Sequence, residues 1–335
     1  MLMLKVNKVA CHGALLALCL LAPALALGGD FRSFRIPTVN SQPLHITLGS
    51  DGNMWFTESD MNMNVNQIGR VDPRGQITEF MLPPNSVGPD DIVSGPGSAL
   101  WFTAPPSFPN SIGTVTTAGV FAEFGTCNPS SCTSLTPNGI TSGLDGNLWF
   151  TEGNRNQIGK LTPTGTFTFF DIPTPGAFPT GITVGPDGAL WFAEHNGNKI
   201  GRITTLGHIK EFALAPAPDT ITPDRITTGP DGNLWFTEPF DNAIGRITPK
   251  GVFTEFPLPT PNALPMDIVA GPDGNLWFTE FNAGQLAQIT PNGVVTEVQI
   301  VRDGPFGIAV GAPGTNTLWI TQFDGNRVAR FTIGP

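Results

Sequence analysis

Gly229-Pro-Asp-Gly-Asn-Leu-Trp-Phe-Thr-Glu238 is the stretch that decides the fold. Pro230-Asp231-Gly232 reads as a tight turn, because Asp caps its own backbone and Gly accepts positive φ. Leu234 to Thr237 reads as a short strand. Upstream, Ile226-Thr-Thr is a β-prone run. Downstream, Ala243 to Ile247 is a third strand, Pro249-Lys250-Gly251 another turn, and Val252 to Leu258 a fourth strand with alternating faces. Four short strands joined by tight turns make one antiparallel blade.

The same pattern surrounds all seven tryptophans: Trp55, Trp101, Trp149, Trp191, Trp235, Trp277 and Trp319, spaced by 46, 48, 42, 44, 42 and 42 residues. Self-similarity at this period signals a propeller or a solenoid. Helical periodicity is absent, and 40 glycines with 33 prolines would break helices in any case. The last unit ends at Phe331-Thr332 without a fourth strand, and Phe31 to Pro37 resembles Ile77 to Pro83. The first segment is therefore expected to pair with the final blade and close a seven-bladed, all-β ring, leaving no open sheet edge. The tryptophans are expected to pack between blades.

At the N-terminus, Lys5 and Lys8 precede an apolar run from Ala14 to Leu27 that ends in Ala24-Leu25-Ala26. This reads as a secretory signal peptide over 1–26, with the propeller over 28–335. A lipoprotein anchor at Cys19 is disfavoured, since Leu18 is too large for the usual small residue. Removing Lys5 and Lys8 from the 17 basic residues leaves 15 against 27 acidic, a net charge of −12 for the mature chain. So acidic a surface repels phosphate backbones and anionic headgroups. Nucleic acid and membrane insertion are excluded as expectations, and a monomer is expected. Cys127 and Cys132, in Cys-Asn-Pro-Ser-Ser-Cys, read as a disulfide in an exported chain; zinc is the rival reading, although no nearby residue completes a ligand set. A ring so short contributes about 2 kcal/mol in the chain-entropy model.

Two sets of positions are expected at the channel mouth. The first is the pair inside each Pro-x-x-Ile: Leu44-His45, Asp90-Asp91, Asn138-Gly139, Thr180-Gly181, Asp224-Arg225, Met266-Asp267 and Phe306-Gly307. These vary while the frame repeats, so they are free to specify a ligand. The second is the exit from the tryptophan strand, where Glu58, Glu152, Glu194, Glu238 and Glu280 stand, replaced by Ala104 and Gln322 in two blades. These glutamates either accept backbone N–H bonds within the blades or gather a cation or waters in the channel. His195 follows Glu194 and reads as a surface-loop histidine rather than an acid–base partner. The candidate ligand-binding set is His45, Asp90, Asp91, Asn138, Asp224, Arg225, Met266, Asp267, Phe306 and Phe323.

The repeat, followed by Ile-Gly-Arg-Ile-Thr as in Ile244 to Thr248, resembles the virginiamycin B lyases over essentially the whole mature chain. The resemblance implies a seven-bladed propeller that opens a cyclic depsipeptide by elimination at its ester bond, with magnesium and a general-base histidine in a Pro-His-Gly-Ile segment. That histidine falls on Phe306, in Pro305-Phe306-Gly307-Ile308. Its glutamate two residues earlier falls on Gly304, and the strand-end glutamate on Gln322 or, with the gap placed differently, on Phe323. A second histidine falls on Met266. Phe cannot take a proton and Gly cannot ligate magnesium. General-base assistance alone contributes about 10²–10⁴-fold, so the lyase reaction is expected to be lost.

Three functions follow as expectations. The first is a non-catalytic module binding a small molecule, peptide or glycan. The second is an enzyme of other chemistry, a metal-assisted hydrolase or lactonase with magnesium or calcium at the mouth. The third is a lyase with its base relocated to His45.

Overall fold

The computed structural model describes residues 29–59, 66–83, 86, 88–104, 112–125, 135–214, 221–298 and 303–334. The expected leader and the Cys127–Cys132 pair lie outside these residues. Seven four-stranded antiparallel sheets follow one another along the chain. Blade 5, for example, runs Ile226–Thr228, Leu234–Glu238, Ala243–Ile247 and Phe253–Pro257, from channel to rim. Val252 precedes the outer strand and is exposed. Among the described residues the one helical segment is a single 3₁₀ turn at Pro96–Ser98.

Ring closure is as the sequence predicts. Asp30–Arg35 pairs antiparallel with Arg327–Thr332, from Asp30 opposite Thr332 to Arg35 opposite Arg327. It becomes the outermost strand of blade 7, the sheet that also holds Pro305–Val310 and Thr317–Gln322. The seventh blade is thus built from both ends of the chain, and the ring cannot open without unzipping this pair.

The tryptophans act as wedges. Trp191 of blade 4 packs with Ile226, Leu234 and Phe236 of blade 5. Trp319 of blade 7 packs with Ile46, Met54 and Phe56 of blade 1, so the contact continues across the closure. Every ring but that of Trp277 also lies flat on a phenylalanine of its own outer strand, as Trp55 on Phe80 at 5.3 Å, Trp191 on Phe212 at 5.2 Å and Trp235 on Phe256 at 5.4 Å, whereas Trp277 meets Phe331 of blade 7 at a tilt. The guanidinium groups of Arg70 and Arg246 cap two of these stacks, a cation–π contact.

Asp231 explains why the turn precedes the tryptophan by a fixed distance. Its Oδ1 accepts the Trp235 indole N–H at 3.0 Å and the Asn233 backbone N–H at 3.1 Å. Asp51, Asp145, Asp187 and Asp273 hold Trp55, Trp149, Trp191 and Trp277 in the same way, at 3.0–3.1 Å. Gly232, at φ 73°, supplies the left-handed residue that lets the chain return. The indole N–H would otherwise be buried without an acceptor, so the aspartate fixes the wedge as well as the turn.

Replacing Asp231 by Ala should therefore destabilise the whole ring. Loss of a hydrogen bond to a charged group costs about 1.5–3 kcal/mol. Urea denaturation should show a lower midpoint with an unchanged slope, whereas an unchanged midpoint would mean that the indole is held by packing alone.

Candidate functional site

The channel mouth is built on a repeated backbone irregularity. In blades 1, 3, 4, 6 and 7 the proline of Pro-x-x-Ile pairs with the end of the tryptophan strand, and the isoleucine pairs with the residue two before it, a phenylalanine in blades 1, 3, 4 and 6 and Ile320 in blade 7. Three steps on the inner strand match two on its neighbour. This β-bulge pushes the x-x pair out of the ladder.

The threonine of Trp-Phe-Thr-Glu fills the gap. Thr57, Thr103, Thr151, Thr237, Thr279 and Thr321 each accept the backbone N–H of the second x residue of their own blade, at 2.8–3.2 Å. Each then donates its hydroxyl to the carbonyl of the first x residue in the next blade. Thr57 reaches Asp90, Thr279 reaches Phe306, and Thr321 closes the circle on Leu44. Blade 4 has Ala193 instead, and there Thr180 Oγ1 and the Gly181 N–H both reach the Asp224 carbonyl at 3.0 Å. The mouth is therefore a hydrogen-bonded hoop.

The hoop leaves room for few side chains. A Cβ on Gly139, Gly181 or Gly307 would come within 2.4–2.6 Å of a carbonyl of the next blade. Side chains at the second x position arise instead from blades 1, 2, 5 and 6, and they converge. Arg225 crosses the mouth: its Nη1 donates to Asp91 Oδ2 at 2.9 Å, and its Nη2 meets His45 Nε2. His45 is buried, with Nε2 3.7 Å from Asp90 Oδ1 and Nδ1 3.7 Å from Asp267 Oδ2. Because Nε2 receives the guanidinium, the proton of the neutral ring is assigned to Nδ1, facing Asp267. Below the group lies a cavity of about 340 Å³, walled by the inner strands, including Ile92, Ile182, Ile268 and Ile308.

Two of the four aspartates are occupied by the fold. Asp91 takes the Ile92 N–H and, across the blade boundary, the Ile140 N–H. Asp267 takes the Ile268 and Ile308 N–H groups in the same fashion. Burial alone would raise Asp267; the hydrogen bond from His45, the Arg225 charge and the Ile308 N–H outweigh it and hold the carboxyl below the usual range. Burial opposes the Arg225 charge, but Asp91, Asp90, Asp224 and Asp267 outweigh it and keep the guanidinium protonated. Asp90 is pushed up by burial, which the Arg225 guanidinium only partly offsets.

An aromatic wall adjoins the polar group. Phe306 meets His45 edge-on at 5.2 Å, and Phe281, Phe306 and Phe323 lie 6.0–6.2 Å from one another. Of the expected set, His45, Asp90, Asp91, Asp224, Arg225 and Asp267 come together, with Phe306 and Phe323 beside them. Asn138 does not join them, since its amide donates to the Pro179 carbonyl at 2.9 Å and ties blade 3 to blade 4. Met266 enters through its carbonyl, which accepts Thr237 Oγ1. Phe281 is absent from the sequence reading, which stopped at Glu280; one residue further along the same strand exit would have reached it. His195 lies apart, its ring beside Phe240 and the Pro223 carbonyl.

The strand-end glutamates correct the expectation of a carboxylate ring in the channel. None of the five lines the cavity. Each points into its own blade, and where Gly69 and Gly245 stand on the third strand, Glu58 and Glu238 occupy the space of a missing Cβ. The expectation of backbone N–H partners holds for Glu152, which takes the Thr136 N–H and hydroxyl. It does not hold for Glu58, Glu194 and Glu238, whose oxygens are buried without a donor. Ser41, the hydroxyl nearest Glu58, already donates to Asn326.

Family comparisons agree with this architecture. The family model described as the virginiamycin B lyase family matches residues 24–145 and 126–334. A streptogramin B lyase structure is 36% identical, covering 91% of this chain and 98% of its own, with a TM-score of 0.80. A catalytically inactive histidine-to-alanine variant of virginiamycin B lyase from Staphylococcus aureus, solved with quinupristin, is also 36% identical, covering 92% and 100%, with a TM-score of 0.80. The extracellular domain of a protein described as a hybrid two-component system from B. thetaiotaomicron shares the fold at 14% identity, covering 90% of this chain and 42% of its own, with a TM-score of 0.70. A comparison with curated proteins gives no match. The fold is thus that of a streptogramin-lyase-like propeller, and the chain belongs to the virginiamycin B lyase family.

The magnesium that the family resemblance implies does not fit the residues present. Gly304 offers no side-chain ligand, Gln322 Oε1 accepts the Ser33 hydroxyl at 2.6 Å, and the carboxylates of Asp91 and Asp267 are committed to backbone N–H groups. Among the described residues no three His, Cys, Asp or Glu groups are arranged to hold a metal ion.

The buried glutamates give a pH signature. Burial, then Glu255 and Asp241, push Glu238 up to about 9, and burial with Glu79 pushes Glu58 up to about 8. The folded chain keeps protons there that the unfolded chain releases near 4.5. This stabilisation is complete below the unfolded value and is lost as pH rises through the folded one. Stability should fall from about pH 5 to pH 9, and Glu238→Gln should flatten the decline by on the order of 1 kcal/mol or more at pH 9. Thermal melts across that range check it; equal slopes in wild type and variant would show that Glu238 is ionised in the fold.

Proposed function

We propose that this protein is an exported, monomeric, non-catalytic propeller that binds a small molecule, peptide or glycan at the channel mouth. The observation that carries this reading is Phe306 where the lyases place their base. The S. aureus lyase is catalytically inactive as a histidine-to-alanine variant, and phenylalanine is no better than alanine at taking a proton. A half-buried aromatic wall beside a few fixed polar groups, above a cavity, is what a small ligand needs. The extracellular propeller among the structural relatives and the leader-like residues 1–26 support export. Among the described residues no helix is long and apolar enough to cross a membrane.

His45 does not stand in as the base. Its Nε2 lone pair receives the Arg225 guanidinium, so proton abstraction would first require Arg225 to leave Asp91. The hydrolase reading needs a metal, and among the described residues no three His, Cys, Asp or Glu groups are arranged to hold one.

Calorimetric titration against peptides, glycans and depsipeptides, quinupristin included, tests the reading. It predicts saturable binding to at least one class, weakened about tenfold or more by Phe306→Ala, as expected for a central aromatic anchor. No saturable binding, or binding indifferent to Phe306, would overturn it.

A further inference from the structure

Among the described residues the charges at the mouth do not balance, and the imbalance specifies a ligand. Arg225 is the one cationic side chain among them that crosses the site, and its Nη1 is committed to Asp91. Asp91 and Asp267 are in turn held by backbone N–H groups from two blades each. Asp90 and Asp224 remain. Their backbones belong to the hoop, with Thr57 donating to the Asp90 carbonyl and Thr180 to the Asp224 carbonyl. Their carboxylates take no hydrogen bond from the described residues. Asp90 retains 28% of its side-chain exposure, so an incoming group can reach it.

Asp90 stands 3.7 Å from His45, and Phe306 packs against the same imidazole at 5.2 Å. A carboxylate short of counter-charge and a phenylalanine face are therefore separated by one ring. On its far side the wall is flanked by acid: a Cβ on Gly304 would lie 2.7 Å from Asp324 Oδ2 and 3.0 Å from Phe281. An anionic ligand would meet Asp90 and Asp224 at the mouth and Asp324 beside the wall. A neutral apolar ligand would cover the phenylalanines and leave Asp90 and Asp224 desolvated without a partner, which is unfavourable.

We infer that the ligand is an organic cation, an alkyl- or arylammonium group whose charge sits between Asp90, Asp224 and the face of Phe306 while its apolar body covers Phe281 and Phe323. This deepens the ligand-binding reading of the same mouth and rests on it. Ammonium groups are attracted both to carboxylates and to aromatic faces, and a dry setting strengthens both attractions. The acidic mature chain, at −12, would also steer such a ligand toward the protein.

A charge series of matched shape tests the assignment by calorimetry at two salt concentrations. The probes are benzyltrimethylammonium, its neutral isostere neopentylbenzene in a co-solvent, phenylacetate, and magnesium or calcium chloride alone. Saturable binding of the ammonium compound, weakened at least tenfold by Asp224→Asn and by Phe306→Ala, is the expected result. Asp171→Asn on an outer strand should leave affinity within twofold, which separates a local site from a general field. If the neutral or anionic probe bound as well as the ammonium compound, a ligand site would stand and its cationic class would fall. If metal chloride alone bound and the ammonium compound did not, the class would likewise fall. If no probe bound, and the wider panel gave no ligand, both readings would fall together. Circular dichroism melts of each variant ensure that lost binding is not lost folding.

Discussion

Everything at the mouth depends on how one blade is held against the next. Each tryptophan fills the core of the following sheet, and in five blades its indole N–H is fixed by the aspartate of the preceding turn. At the inner end, a threonine hydroxyl ties each bulge to the next. The wedge sets the angle between sheets, and the hydroxyl sets the distance between neighbouring x-x pairs. Apart from Thr180, which itself makes the tie in blade 4, and Gly139, Gly181 and Gly307, where a Cβ would clash, neither depends on which side chains the x-x pairs carry. The frame can therefore stay constant while the site changes, as it has in this member of the family.

The sequence made the frame legible because the frame repeats. Seven copies of one turn and one tryptophan strand, with a missing fourth strand and a matching segment at the other end, specify ring closure without any measurement of distance. The mouth was legible as a set of positions, since variation within Pro-x-x-Ile stands out against the constant neighbours. Its side-chain chemistry was less legible. That Asp91 and Asp267 would turn back onto backbone N–H groups, while Asp90 and Asp224 would not, depends on the bulge. That Arg225 would reach His45, 180 residues away in the chain, depends on the diameter of the ring. The strand-end glutamates admitted two readings, acceptors of backbone N–H groups or a cluster in the channel, and the first holds for Glu152. Alternation along the strand sends these glutamates into the blade interiors.

Those glutamates also show how a repeat distributes its costs. Glu58, Glu194 and Glu238 are fully buried beside a second acid of the same blade, Glu79, Glu211 and Glu255 respectively. In blade 4 the ammonium of Lys199 bonds Glu211 at 3.0 Å and relieves the pair. In blade 6 the Gln285 amide donates to Glu280 at 2.6 Å, and that glutamate is raised only to about 7. In blade 5 Ala243 occupies the same register position, and Glu238 is raised furthest, to about 9. A proton is the smallest counter-charge available to a buried carboxylate, and the blades differ in how much they need it.

The central claim is that the lyase frame is intact and only the reacting groups are gone. It is tested most directly by mass analysis of quinupristin incubated with magnesium and either the wild-type protein or a variant carrying Phe306→His, Gly304→Glu, Gln322→Glu and Met266→His together. The account predicts ring-opened product from the variant and none from the wild type. Ring opening by the wild-type protein would contradict it.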